Sequence, residues 1–243
     1  MKKTLLAVIV ASVMAVALFG CSSGGSTSSS SSSSAAENNN VAEVADSAEP
    51  QDLIISDSGY VLKNGYVMYA VEIENPNTNW GAQYANISIT ATSKSGDIRF
   101  SDDWTVGPIT PGTKTYWATQ AGDGDTKKDD TVEFDVSVSD YNWSEGEATI
   151  PADLYTFDNV KVAKGEYNMT AKGKITMSEN DIDGAARPML VCILKDEKGK
   201  IVTGFNGYMS SDLKPGKTTA FDIDGYFSDV KYKKAEMYAN PWM

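Results

Sequence analysis

One plan occurs twice in this chain, and that repetition constrains the fold more than any other feature. The first copy runs Lys94-Ser95-Gly96-Asp97-Ile98 and then Pro111-Gly112-Thr113-Lys114. The second runs Glu197-Lys198-Gly199-Lys200-Ile201 and then Pro215-Gly216-Lys217-Thr218. In each copy a strand enters a Gly turn, a second strand leaves it, and a Pro-Gly turn leads into a third. Proline presets the backbone for a turn and glycine relieves its steric limits, so the two stretches read as paired strand connectors. Two copies predict two similar all-β domains.

The flanking residues support strands. Val67, Tyr69, Val71 and Ile73 alternate with Met68, Ala70, Glu72 and Glu74. Ile87, Ile89 and Ala91 alternate with Asn86, Ser88, Thr90 and Thr92, and Val132, Phe134, Val136 and Val138 with Glu133, Asp135, Ser137 and Ser139. A period of two is expected where one sheet face is buried and the other is wet. Asn64-Gly65, Asn75-Pro76-Asn77 and Gly122-Asp123-Gly124 mark turns between the runs. In the second half, Tyr167 to Met177 takes the place of the Tyr66 to Asn75 strand, and Met189 to Lys195 that of Ala85 to Ser93. Thr218 to Asp224 takes the place of the strand that begins at Thr113; with Pro111 set against Pro215, Trp117 falls opposite Phe221, and both are expected in a core. Short strands at this spacing, without a helical period, predict one β-sandwich per half. Met189-Leu190-Val191-Cys192-Ile193-Leu194 is apolar on both faces. Such a strand needs cover on its second face, and the first domain is the expected cover.

The N-terminus reads as an address. Lys2 and Lys3 precede an uncharged apolar run from Leu5 to Leu18, which ends in Leu18-Phe19-Gly20-Cys21. That ending resembles a bacterial lipobox, in which Cys21 is lipidated after cleavage. The run is short for a bilayer core of about 30 Å, and no stop-transfer charges follow it. Cleavage removes two lysines from 21 basic residues and leaves 19 against 33 acidic ones, moving the net charge from −12 to −14. That charge repels nucleic acid and anionic surfaces, so the lipid on Cys21 is the expected hold on the membrane. Ten of the thirteen residues from Ser22 to Ser34 are serine, and Ala, Asn and Glu dominate as far as Pro50. Such a stretch cannot bury enough apolar surface to order itself, and it reads as a tether with an end-to-end distance of about 30 Å.

Missing residue types exclude chemistries. There is no histidine, which removes Ser-His-Asp and Cys-His arrangements and every His-ligated zinc site. Once Cys21 carries lipid, Cys192 has no disulfide partner, and its apolar strand makes it a small core residue. No phosphate-binding Gly loop or nucleophile elbow occurs. No cofactor is implied.

The order strand, Gly turn, strand, Pro-Gly, strand resembles the FxLYD-type and related immunoglobulin-like domains of Gram-positive lipoproteins. Cys192-Ile193-Leu194-Lys195-Asp196 stands at that family's Phe-x-Leu-Tyr-Asp and matches it at Leu194 and Asp196. The first copy has Ile89-Thr90-Ala91-Thr92-Ser93 there. The resemblance spans most of Gln51 to Met243. It implies a non-catalytic extracytoplasmic module and transfers no functional residues.

Two groups of residues are candidate sites. Among five tryptophans, Trp80 in Asn77-Thr78-Asn79-Trp80-Gly81 and Trp104 after Asp102-Asp103 are expected to be exposed and to serve as stacking platforms for a glycan or peptide. Asp123, Asp125 and Asp129 form the densest acidic loop. Calcium wants six to eight oxygens, but Lys127 and Lys128 interrupt the run and no glutamate closes it. Asn180-Asp181-Ile182-Asp183-Gly184 is a weaker candidate of the same kind.

The expected organisation is a lipoprotein signal peptide over 1–20, lipidated Cys21 and tether over 21–50, and two tandem immunoglobulin-like β-sandwich domains over 51–148 and 149–243. The expected function is a non-catalytic binding, adhesion or scaffold module on the extracytoplasmic face of a Gram-positive cell membrane. Its partner would be an envelope protein, peptidoglycan or a glycan. The alternative is a transporter-associated or surface lipoprotein that captures a glycan or peptide through exposed aromatics of the first domain. A third reading is a carboxylate-dependent hydrolase. A shallow aromatic groove favours the second of these and a deep acid-lined pocket the third.

Overall fold

The computed structural model describes residues 49–146, 150–180, 182 and 184–241. The signal peptide, Cys21 and nearly all of the tether lie outside the described residues, as do Trp242, Asp181, Asp183 and part of the linker between the halves.

The repeated plan folds as two sets of antiparallel strands. The first half holds β1 (Ile54–Lys63), β2 (Tyr66–Glu74), β3 (Trp80–Ala82), β4 (Ala85–Thr92), β5 (Ile98–Val106), β6 (Lys114–Ala121), β7 (Thr131–Ser137) and β8 (Trp143–Glu145). The second half holds β9 (Tyr155–Lys164), β10 (Met169–Met177), β11 (Met189–Lys195), β12 (Ile201–Tyr208), β13 (Thr218–Gly225) and β14 (Lys234–Asn240). No α-helix occurs among the described residues, and no helix there is long and apolar enough to cross a membrane.

Strand order repeats with the sequence. In the first half the sheets are β1-β2-β6 and β5-β4-β7, and in the second they are β9-β10-β13 and β12-β11-β14. The short pair β3-β8 has no counterpart among the described residues of the second half. The two Gly turns match in detail. Gly96 and Gly199 have φ of 91° and 79°, a region closed to most side chains. In one, Ser93 Oγ accepts from the Asp97 amide at 3.0 Å; in the other, Asp196 Oδ1 accepts from the amides of Lys198 and Lys200 at 2.8 and 2.9 Å.

Two cores result, and they meet. The first joins Val67, Tyr69, Val71 and Ile73 of β2 to Ile87, Ile89 and Ala91 of β4, with Trp117 of β6. The second joins Met169, Ala171 and Ile175 of β10 to Leu190, Cys192 and Leu194 of β11, with Phe221 and Ile223 of β13. Trp117 is 2% exposed and lies opposite Val71; Phe221 lies opposite Gly173, so a smaller partner accommodates the ring in the second copy. Met189, Val191 and Ile193, on the other face of β11, belong to the first core, as the doubly apolar run predicted.

The cover is mutual, and here the sequence expectation fails. Met68, Ala70 and Glu72 were expected on a wet face, yet Met68 joins the second core, Ala70 is fully buried and Glu72 is 9% exposed. Sheet β1-β2-β6 therefore packs on sheet β12-β11-β14. Small residues allow a close approach: a Cβ on Gly204 would lie 2.8 Å from that of Ala118 and 3.1 Å from that of Ala70. A Cβ on Gly59 would lie 2.2 Å from the Ile201 carbonyl oxygen. Thr203 Oγ1 donates to the Met68 carbonyl at 2.8 Å, and the Ile201 amide donates to Asp57 Oδ2 at 3.1 Å. Burying one Val, Leu, Ile or Met side chain contributes about 1.5–3 kcal/mol, so a strand covered on both faces is a principal source of stability. Residues Ala48–Met243 form one compact unit.

Candidate binding cleft

Stacking the two halves creates a cleft at their boundary. It is lined by Trp104 of β5 from the first half and by Asn206 of β12 and Asp224, Gly225, Tyr226 and Phe227, at and just after the end of β13, from the second. Thr119 and Gln120 of β6 and the buried Met68 and Phe205 complete a space of about 320 Å³. Trp104 shares the inward parity of Phe100 and Val106 on β5, but at the sheet edge it leans on Trp117, ring centroids 5.9 Å apart, and stays 42% exposed. Tyr226 follows the last β13 residue and is 77% exposed. Asp224 Oδ1 is engaged by Thr170 Oγ1 at 2.5 Å and Asn168 Nδ2 at 3.1 Å. Among the described residues, the side-chain amides of Gln120 and Asn206 have no hydrogen-bond partner. Among the described residues no lysine or arginine lines the cleft.

The two candidate tryptophans do not come together. Trp80 opens β3, opposite Glu145 of β8, and is half-buried. Its carbonyl accepts from Asn75 Nδ2 at 2.8 Å, part of a buried knot in which Asn75 also binds the Ile109 carbonyl at 3.1 Å and Asn77 Nδ2 at 2.9 Å. Trp80 does not line the Trp104 cleft. Tyr226, Gln120 and Asn206 carried no sequence signal, because nothing local marks a residue that meets its partners only across two packed halves.

The acidic loop is committed to internal pairing. Asp123 Oδ1 accepts from the Asp125 amide at 3.2 Å, closing a tight turn. Asp129 pairs with Lys94 at 2.8 Å, and that ammonium holds its carboxyl below the ordinary range. Asp130, 9% exposed, pairs with Arg99 at 3.1 Å and accepts from the Lys127 amide at 2.8 Å. Among the described residues no three His, Cys, Asp or Glu side chains are grouped to hold a metal ion.

The strongest electrostatic feature joins the halves. Tyr116 of β6 and Tyr238 of β14 stack, ring centroids 3.7 Å apart and 19° from parallel. Each hydroxyl donates at 2.6 Å to a glutamate, Tyr116 to Glu72 and Tyr238 to Glu236. Lys114 pairs with Glu72 at 2.5 Å, and Lys195 pairs with Glu236 at 2.7 Å and lies 5.4 Å from the Tyr116 ring centre. Burial acts to raise the Glu72 carboxyl, but hydrogen bonds from Lys114, Tyr116 and Ser56 overcome it and hold it at about 2. Glu236 is likewise held at about 2, burial being outweighed by hydrogen bonds from Lys195, Lys234 and Tyr238. Burial and the bond to Glu72 push the Tyr116 hydroxyl up to about 12. A second cleft of about 380 Å³ borders this network. Its polar groups are already engaged: Thr115 with Asn240 at 3.0 Å, Asn240 with the Tyr116 carbonyl at 2.7 Å, and Tyr155 with the Ala185 carbonyl at 2.7 Å.

Cys192 is buried, and burial pushes its thiol up to about 12, which makes it a packing residue rather than a nucleophile. The Trp104 cleft thus offers aromatic faces and neutral amides to a ligand. The shifted carboxylates are used inside the protein and are held in the charged form. Compared with protein-family models and with curated proteins, the chain has no match.

Proposed function

We propose that this chain is a lipid-anchored, extracytoplasmic binding module without catalysis, built as two immunoglobulin-like sandwiches in tandem and similar to the FxLYD-type domains of Gram-positive lipoproteins. The diacylglyceryl group on Cys21 holds it to the cell membrane, and the Ser-rich tether lets the folded part stand away from the surface. The repeated strand order supports the tandem arrangement. The observation that carries the binding reading is the Trp104 cleft, with two exposed aromatics and two unengaged amides in one concave site. It favours capture of a small ligand over adhesion through a flat face. A hydrolase would need a carboxyl raised to act as an acid; Glu72 and Glu236 are instead lowered and paired.

Labelling of bacterial cultures with a palmitate analogue tests the anchor. Wild-type protein is expected to take up the label and sediment with membranes, and Cys21→Ala to lose both. Label retained by Cys21→Ala removes the lipid-anchor reading.

A further inference from the structure

We propose that the Trp104 cleft binds a neutral saccharide, gripping it between the rings of Trp104 and Tyr226 and hydrogen-bonding it through Gln120 and Asn206; this rests on the binding-module reading above.

Chemistry selects the ligand class. An aromatic ring presents a negative face, which attracts the slightly positive C–H groups on the flat side of a pyranose. Trp104 and Tyr226 supply two such faces, one from each half, at 42% and 77% exposure. Each sugar hydroxyl is at once donor and acceptor, and so is each carboxamide. Gln120 and Asn206 are the unengaged amides of the cleft. Charge narrows the class further. Among the described residues the cleft holds Asp224 and no basic side chain, in a chain of net charge −12, so sulfated, sialylated or phosphorylated polymers are repelled. At about 320 Å³ the space sits at the small end of ligand pockets, about 300–1,000 Å³, which suits a short saccharide segment. A proline-rich peptide also docks on aromatic grooves, but it offers few donors to match two amides. The cleft requires both halves: Trp104, Thr119 and Gln120 come from the first, and Asn206, Asp224 and Tyr226 from the second.

The test is a binding screen of the full chain in detergent. The probes are neutral hexose and N-acetylhexosamine oligosaccharides, sialylated and sulfated glycans, and a proline-rich peptide. The expected result is binding to neutral oligosaccharides alone, weakened roughly tenfold by Tyr226→Ala and by Trp104→Ala. Trp80→Ala, and Tyr141→Ala at an exposed tyrosine that does not line the cleft, should leave it unchanged. Tyr226 is largely outside the core, so its variant stays informative if loss of Trp104 disturbs Trp117. Peptide binding that falls in both cleft variants overturns the saccharide assignment and keeps the binding module. Glycan binding that neither variant weakens overturns the cleft. Absence of binding to every probe overturns both.

Discussion

Strands β4 and β11 occupy equivalent places in the repeat, each central in its sheet, yet only one is wet. The outer residues of β4 are Asn86, Ser88, Thr90 and Thr92; the corresponding face of β11 carries Met189, Val191 and Ile193, all within the first core. For β2 and β10 the order reverses. β2 is covered on both faces, while β10 sends Lys172, Lys174 and Thr176 outward. The halves therefore stack by non-equivalent surfaces, the β2 sheet of one against the β11 sheet of the other. A head-to-tail contact of this kind could in principle continue without end. The polar outer faces of β4 and β10 close it after two copies, as capping repeats close a solenoid.

The largest effect of a substitution is expected at β11. Val191→Glu buries an unpaired charge between the halves and should cost about 3–5 kcal/mol or prevent folding, by urea unfolding. Ser88→Glu, its counterpart on β4, should change stability by no more than about 0.5 kcal/mol. Equal effects would mean that β11 is not covered in solution. Gly204→Ala probes the same contact from β12. With Ala118 and Ala70 too close for a new Cβ, overpacking should destabilise by about 1–3 kcal/mol, read from the thermal midpoint.

Acid should loosen the network between the halves. Glu72 and Glu236 have folded-state values near 2 against an ordinary 4.5, so the unfolded chain binds protons first as pH falls. Their contribution is complete above about 4.5 and lost progressively between there and about 2. Glu72→Gln should cost about 1–3 kcal/mol at neutral pH and flatten that acid limb, measured by unfolding at a series of pH values. An unchanged acid limb would remove Glu72 from the network. The smallest effect is expected at Asp129→Asn, where the melting temperature should not move with or without millimolar calcium. A calcium-dependent rise in wild type that this change abolishes would restore the loop as a metal site.

Much of the fold was legible because its signals are local. Period-two alternation marked β2, β4 and β7, the paired Gly and Pro-Gly turns marked the repeat, and six apolar residues in a row marked β11 as doubly covered. The cover on the second face of β2 escaped notice because Glu72 and Glu74 resemble a wet face. Only packing supplies Lys114, Tyr116 and Ser56, which make a buried Glu72 tolerable. Trp104 was legible as an exposed aromatic; Tyr226, Gln120 and Asn206 were not, since their nearness to it depends on how the two halves stack.

The sequence alone thus determined the strands, the turns and the repeat, and its lack of histidine excluded histidine chemistry. Those properties follow from residue type and short spacing. Tertiary structure decided which faces meet, and with them the stacked tyrosines and the cleft. Each copy has two sheet faces available for packing, and the choice rests on small residues, a few charges and cores far apart in sequence.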